Sequence, residues 1–204
     1  MAFGLVLCTA CSPAVPSMAL TGKVKAVVDR SKTTTATYAT YSWNKIVRDG
    51  HPVEEWAAEF HTGDFHRVET PRDRLVADCA AQTGIAREVA TGKLFRGPGV
   101  ARAACGINTN KPFLESEWQG LVQTPFGAAD RLRLVDSDDV RTYDISPQGV
   151  ILASTYAKKT GGSSLDARAV AVLPTLPDPE MFNEASLDRS YVPDRFKVAP
   201  KPAS

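Results

Sequence analysis

The stretch from Val53 to Cys79 constrains the fold most, because its apolar and polar side chains alternate in short runs that are separated by turns. Trp56 and Phe60 fall on one side of an extended chain, since successive strand side chains point in opposite directions. Gly63-Asp64 and Pro71 then interrupt the pattern as turns. The stretch therefore predicts three short antiparallel strands.

Similar patterns flank this stretch on both sides. Residues 33–47 are rich in Thr, Tyr and Trp, which favour strands, and Asp49-Gly50 is a hairpin turn signal. Turns recur about every ten residues up to residue 96, as in an antiparallel meander. A helix is expected at 20–32, where three valines share one face, and a helical turn at 100–105. Residues 107–120 read as an irregular or partly helical connection. Four further strands are expected, at 129–135, 140–146, 150–157 and 167–173.

The predicted fold is mainly β (α+β): a curved antiparallel sheet or half-barrel with a few covering helices. The chain has 204 residues and a net charge of +1. This length suits one domain, which we place at 20–189, followed by a mobile C-terminal tail at 190–204. The balanced charge gives no indication of a nucleic-acid partner.

The first 19 residues predict a leader for export. A short apolar run at 3–10 resembles the core of a signal peptide and is too short to span a bilayer as a helix. Cleavage after Ala19 would follow small residues, whereas Leu7 to Cys11 resembles a lipobox, which would make Cys11 a lipidation site. A disordered N-terminal tail is the alternative.

Cysteine usage favours the same compartment. Two of the four cysteines lie in the leader, and Cys79 and Cys105 remain in the mature chain. An even pair in an exported protein indicates one disulfide. Two buried free thiols are the alternative, and neither cysteine has a second ligand at the spacing of a metal site.

The chain shows no catalytic signature, and we predict a protein that is not an enzyme and needs no cofactor or metal. His51, His61 and His66 lie close together in sequence, and Glu59 shares a strand face with His61. Across a hairpin His61 and His66 could be neighbours in a metal or acid–base site. The plainer interpretation is that they are polar residues on a solvent-facing surface. If the histidines and Glu59 instead formed a metal or acid–base site, the function would be that of a small metal-dependent hydrolase.

Large apolar side chains on predicted strands are the candidate binding residues. An open, curved sheet could use them as a groove for an acyl chain, whereas a covered sheet would bury them as core. The groove candidates are Tyr41, Trp43, Trp56, Phe60, Leu134 and Leu152.

The order of elements resembles the periplasmic outer-membrane lipoprotein carrier and receptor family. The matching features are the leader, the first helix, the long Thr/Tyr/Trp strand, the hairpin at Asp49-Gly50, and the run from Gly63 to Pro71 that contains Arg67 and Glu69. Residues 143–149 fit the last strands of that family. Cys79 departs from its pattern, since glycine usually follows the aspartate there. The resemblance implies a half-barrel, lidded by helices, that shelters lipid.

These observations predict an exported protein, periplasmic or associated with the outer membrane. It would bind a lipid, an acyl chain or a lipoprotein in an apolar groove, and it would touch the membrane only through a lipid anchor. The alternative is a structural or interaction module of the cell envelope that binds other envelope proteins and has no internal ligand.

Overall fold

The computed structural model describes residues 19–109 and 111–200. Eleven strands form one antiparallel, curved and open sheet. The strands are β1 (Tyr38–Arg48), β2 (His51–Thr62), β3 (Phe65–Glu69), β4 (Asp73–Asp78), β5 (Thr83–Glu88), β6 (Leu94–Arg96), β7 (Glu115–Thr124), β8 (Gly127–Val135), β9 (Asp139–Ile145), β10 (Ile151–Lys158) and β11 (Ser164–Leu173). Their order in the sheet is β6-β5-β4-β3-β2-β1-β11-β10-β9-β8-β7. The predicted fold class is confirmed.

The first strand, β1, lies in the middle of the sheet. The first six strands run from β1 to one edge as a meander, as the turn spacing predicted. The chain then passes through helix α2 (Pro98–Ala104) to the opposite edge and returns strand by strand. The last strand, β11, pairs with β1 and so joins the two halves.

Helix α1 (Gly22–Lys32) confirms the predicted first helix. Its valines Val24, Val27 and Val28 are buried in one cluster with Leu132 and Leu134 of β8. Gly149 has a positive φ, and a Cβ there would collide with the carbonyl of the last turn of α1. Glycine is therefore required for the β9–β10 turn to approach the helix so closely.

Asp130 of β8 fastens α1 to the sheet. Arg30 donates to its carboxylate at 2.7 Å, Trp118 donates at 2.9 Å, and Lys23 lies 3.2 Å away. Burial alone would raise the pKa of Asp130, but these three donors hold it below its ordinary value. The carboxylate therefore stays charged beneath the helix.

Three short 3₁₀ helices follow the last strand: Pro179–Phe182, Glu184–Asp188 and Asp194–Phe196. We call residues 176–196 the covering segment, because they lie across the sheet. The C-terminal tail that the sequence predicts to be mobile begins inside this segment, at residue 190. Within that tail, Val192 is buried in a core cluster and Phe196 stacks on Tyr41.

Within the described ranges, no helix has the length and apolar character needed to cross a membrane.

Candidate functional site

The structure places the predicted groove residues of β1 and β2 on one face of the sheet. Tyr41 pairs with Ala58, and Trp43 pairs with Trp56. Phe60 lies two residues beyond Ala58 and therefore faces the same way. We call this side of the sheet the Tyr41 face.

The covering segment packs on the Tyr41 face. Tyr41 and Phe60 are buried in one cluster with Met181 and Val192 of that segment, and Trp56 packs against it. The ring centroids of Tyr41 and Phe196 are 4.0 Å apart, and the rings are stacked. These aromatic residues therefore form the contact between the sheet and its own C-terminal segment.

Trp43 lies on the Tyr41 face but outside this cluster, and its indole donates to Glu54 at 2.8 Å near the surface. The other two groove candidates lie elsewhere. Leu134 is buried beneath α1, and Leu152 belongs to a cluster with Tyr38. Tyr38 lies on the side of β1 opposite to Tyr41. The structure thus groups Tyr41, Trp56 and Phe60 and separates Leu134 and Leu152 from them.

A buried ion pair fixes the covering segment to the Tyr41 face. Arg67 and Glu69 of β3 have fully buried side chains, and Arg67 donates to Glu69 at 2.7 Å. The other N–H groups of Arg67 donate to the carbonyls of Met181, Ser186 and Arg189 and to the Ser186 hydroxyl. All five guanidinium donors are therefore satisfied.

Glu69 completes this anchor from the other side. Its carboxylate accepts from the Ser190 hydroxyl at 2.6 Å and from the backbone N–H of Tyr191. Burial lowers the pKa of Arg67, and the neighbouring Glu69 carboxylate opposes that shift. We call Arg67 and Glu69 the anchor pair. In the sequence analysis these residues contributed only to the family resemblance. The available signal was two opposite charges on the same strand face as Phe65.

Beside the anchor pair, the Tyr41 face opens into a pocket of about 410 Å³. Phe65, Val76 and Ile85 of the sheet form its floor, and Phe182 of the covering segment forms its wall. Arg96, at the rim, donates to Glu184 at 2.8 Å. We call it the Phe182 pocket. Its volume lies within the range of small-molecule sites, and its walls are mainly apolar.

The histidine pair lies on the opposite side of the sheet. His61 and His66 are directly paired across the β2–β3 hairpin, and their ring centroids are 5.4 Å apart. The sequence favoured a solvent-facing surface for them, but both are about 95% buried. His61 stacks on Tyr38 and approaches the Ala36 carbonyl at 2.7 Å. Over residues 19–109 and 111–200, no three His, Cys, Asp or Glu side chains converge as a metal site.

His61 gives a testable pH dependence of stability. Burial lowers the pKa of His61 below its ordinary value of 6.5, against opposing effects of the Ala36 carbonyl, Glu59 and Asp64, while His66 lowers it further. The folded state therefore holds His61 neutral, and unfolding takes up a proton below pH 6.5. The contribution of neutral His61 to the free energy of unfolding is fully present above pH 6.5, and it is lost as the pH falls below 6.5.

We expect His61→Phe, which preserves the ring stack, to show a smaller loss of stability between pH 7.5 and 5.5 than the unchanged protein. Urea unfolding at both pH values measures this loss. His51→Gln, at an exposed position, is the control and should leave the pH dependence unchanged. An equally steep loss in His61→Phe would assign the effect to other groups.

Cys79 and Cys105 form a disulfide, as the sequence predicted. It joins the end of β4 to the residue that follows α2. Cys11 lies outside the described residues, and its lipidation stays a prediction.

No family model matches the chain, and no curated protein matches it in sequence. An uncharacterized conserved protein from Thermus thermophilus is similar in structure, with 16% identity and a TM-score of 0.54 over 87% of this chain and 99% of that chain. At this identity the comparison shows the fold alone.

Two other solved structures are more distant. A LolA superfamily protein from Nitrosomonas europaea has 6% identity and a TM-score of 0.43, over 82% of this chain and 100% of that one. An outer membrane lipoprotein-sorting protein domain from Vibrio parahaemolyticus has 9% identity and a TM-score of 0.44, over 82% of this chain and 97% of that one.

Proposed function

We propose that this is an exported protein of the cell envelope that binds a lipid or lipoprotein acyl chain on the Tyr41 face, between the sheet and the covering segment. The protein acts by binding and performs no chemical step. The disulfide supports export, because such bonds persist in oxidising compartments.

The Phe182 pocket is the observation that carries the proposal. It combines an apolar floor from three strands with a wall from the covering segment. A methylene chain needs no polar partner, so Val76, Ile85 and Phe182 can hold it by removing apolar surface from water. This burial contributes roughly 25 cal/mol per Å².

The covering segment gives the site a wall that is separate from the sheet. The anchor pair holds residues 181–191 in place, and Phe182 lies within this span. Phe65 and Phe182 face each other with ring centroids 6.2 Å apart. The bound acyl chain would lie in the space between this aromatic contact and Ile85.

We expect Ile85→Asp to weaken binding of a fluorescent C16 fatty acid at least tenfold, because a carboxylate in the apolar floor must be desolvated when the chain enters. Fluorescence titration measures the Kd, and circular dichroism checks that the variant is folded.

Leu121→Asp is the matched control. Leu121 is 68% exposed on β7, at the far edge of the sheet, so this variant should bind the fatty acid as tightly as the unchanged protein. Equal Kd values for Ile85→Asp and the unchanged protein would show that the Phe182 pocket is not the site. No binding by any of the three proteins would favour an envelope module without ligand.

A further inference from the structure

The face of the sheet opposite to the Tyr41 face contains a small cavity at its centre, with both polar and apolar side chains in its lining. Its volume is about 30 Å³, and four neighbouring strands line it. Thr40 and Ser42 come from β1, Glu59 from β2, Ser154 from β10 and Ala169 from β11. A cavity of this size holds one group of about the size of a water molecule.

Thr40 is 96% buried in this cavity wall, and its hydroxyl has no hydrogen-bond partner among the described residues. It lies directly across the strand pair from Glu59. A buried hydroxyl without a partner costs free energy, so its presence indicates a group that binds there.

The charge in the cavity lining favours a cation. Glu59 is the one charged residue of the lining, which contains no lysine, arginine or histidine, and its side chain is 37% exposed, at the solvent side of the cavity. Within the described ranges, the one basic group within 4 Å of the Glu59 carboxylate is Nε2 of His66, which lies 3.6 Å away and makes no hydrogen bond. The carboxylate thus retains acceptor capacity for a donor in the cavity.

The lining also distinguishes between cations. Carboxylate and hydroxyl oxygens accept hydrogen bonds, so a cation that carries N–H donors can satisfy several of them together. Ala167 and Ala169 contribute only short side chains to the lining, and an ammonium group is about as large as the water molecule that the cavity can hold. The β10 bulge between Ile151 and Ala153 lies at the same place, as bulges often do at sites.

We propose that this cavity is a binding site for a primary ammonium group, held by the Glu59 carboxylate and the Thr40 hydroxyl. The site lies on the opposite face of the sheet from the Phe182 pocket, so this proposal does not depend on the proposed acyl-chain binding.

The test is a titration of the ¹⁵N-labelled full chain with methylammonium, followed by the backbone amide NMR signals of Thr40, Glu59 and Ala169. We expect saturable shifts at these three residues. Glu59→Gln, which keeps the shape and removes the charge, should weaken binding at least tenfold. Thr40→Val should weaken it in the same direction, and Glu117→Gln on β7 should leave it unchanged.

Tetramethylammonium and potassium are the discriminating probes, because neither can donate a hydrogen bond. Saturation by either at the same concentrations as methylammonium would overturn the proposal in favour of a general cation site. The absence of shifts with methylammonium would leave only a water in the cavity. Unchanged binding in Glu59→Gln would also overturn it. A separate titration with glycerophosphoethanolamine distinguishes a lipid head group, which should bind more tightly than methylammonium, from a free amine.

Discussion

Replacing Arg67 by alanine will lower the free energy of unfolding by about 3–5 kcal/mol, because it leaves Glu69 buried without its counter-charge. The same change removes the donors to the carbonyls of Met181, Ser186 and Arg189. Urea unfolding measures the loss. Hydrogen exchange measures its location, and protection should fall first in residues 181–191.

Two variants separate the anchor pair from ordinary ion pairs. Arg67→Met combined with Glu69→Leu removes both charges and should recover part of the lost stability, since no unpaired buried charge remains. Arg133→Ala breaks an exposed pair with Glu115 and should leave the unfolding midpoint unchanged. A stability loss in Arg67→Ala no larger than in Arg133→Ala would contradict the anchor role.

Reduction of the disulfide will cost about 3 kcal/mol, because Cys79 and Cys105 are 26 residues apart and the bond restricts the unfolded chain. Urea unfolding with and without dithiothreitol measures the difference.

The matched control for reduction is the variant with both Cys79→Ser and Cys105→Ser. Its midpoint should be low and should not respond to reductant. An unchanged midpoint for the natural chain in dithiothreitol, with both thiols then open to alkylation, would show that the bond adds no stability. Free thiols in the protein before reduction would remove the support for export.

Strand alternation allowed most of the sheet to be predicted, because a buried face repeats every second residue. The first helix followed from Val24, Val27 and Val28 at helical spacing. The sequence missed β7, which was expected to be an irregular connection over 107–120. This strand lies at the sheet edge, mostly exposed, and a bulge after Trp118 disrupts its alternation.

The packing of the covering segment on the sheet and the anchor pair could not be predicted in this way, because both depend on contacts between distant parts of the chain. Arg67 lies more than 110 residues from Met181 and Ser186. A charged residue on a strand ordinarily indicates a solvent-facing position. The short 3₁₀ helices have little periodicity of their own, and their prolines resemble those of a loose tail. Packing on Tyr41 and Phe60 fixes them instead.

The division of the aromatic residues has a consequence for function. Tyr41 and Phe60 are covered by the covering segment, whereas the Phe182 pocket offers accessible apolar surface further along the same face. Three of the predicted groove residues, Tyr41, Trp56 and Phe60, therefore share one face and one covering segment with the proposed pocket. A bound chain would extend the apolar contact that the segment already makes.

The most direct test of acyl-chain binding is an NMR measurement of nuclear Overhauser effects between the bound fatty acid and the protein methyl groups. With a ¹³C-labelled C16 fatty acid, the account predicts contacts from the chain methylenes to the methyl groups of Val76 and Ile85. Contacts confined to residues outside the Phe182 pocket, or a saturated complex without contacts to Val76 and Ile85, would contradict it.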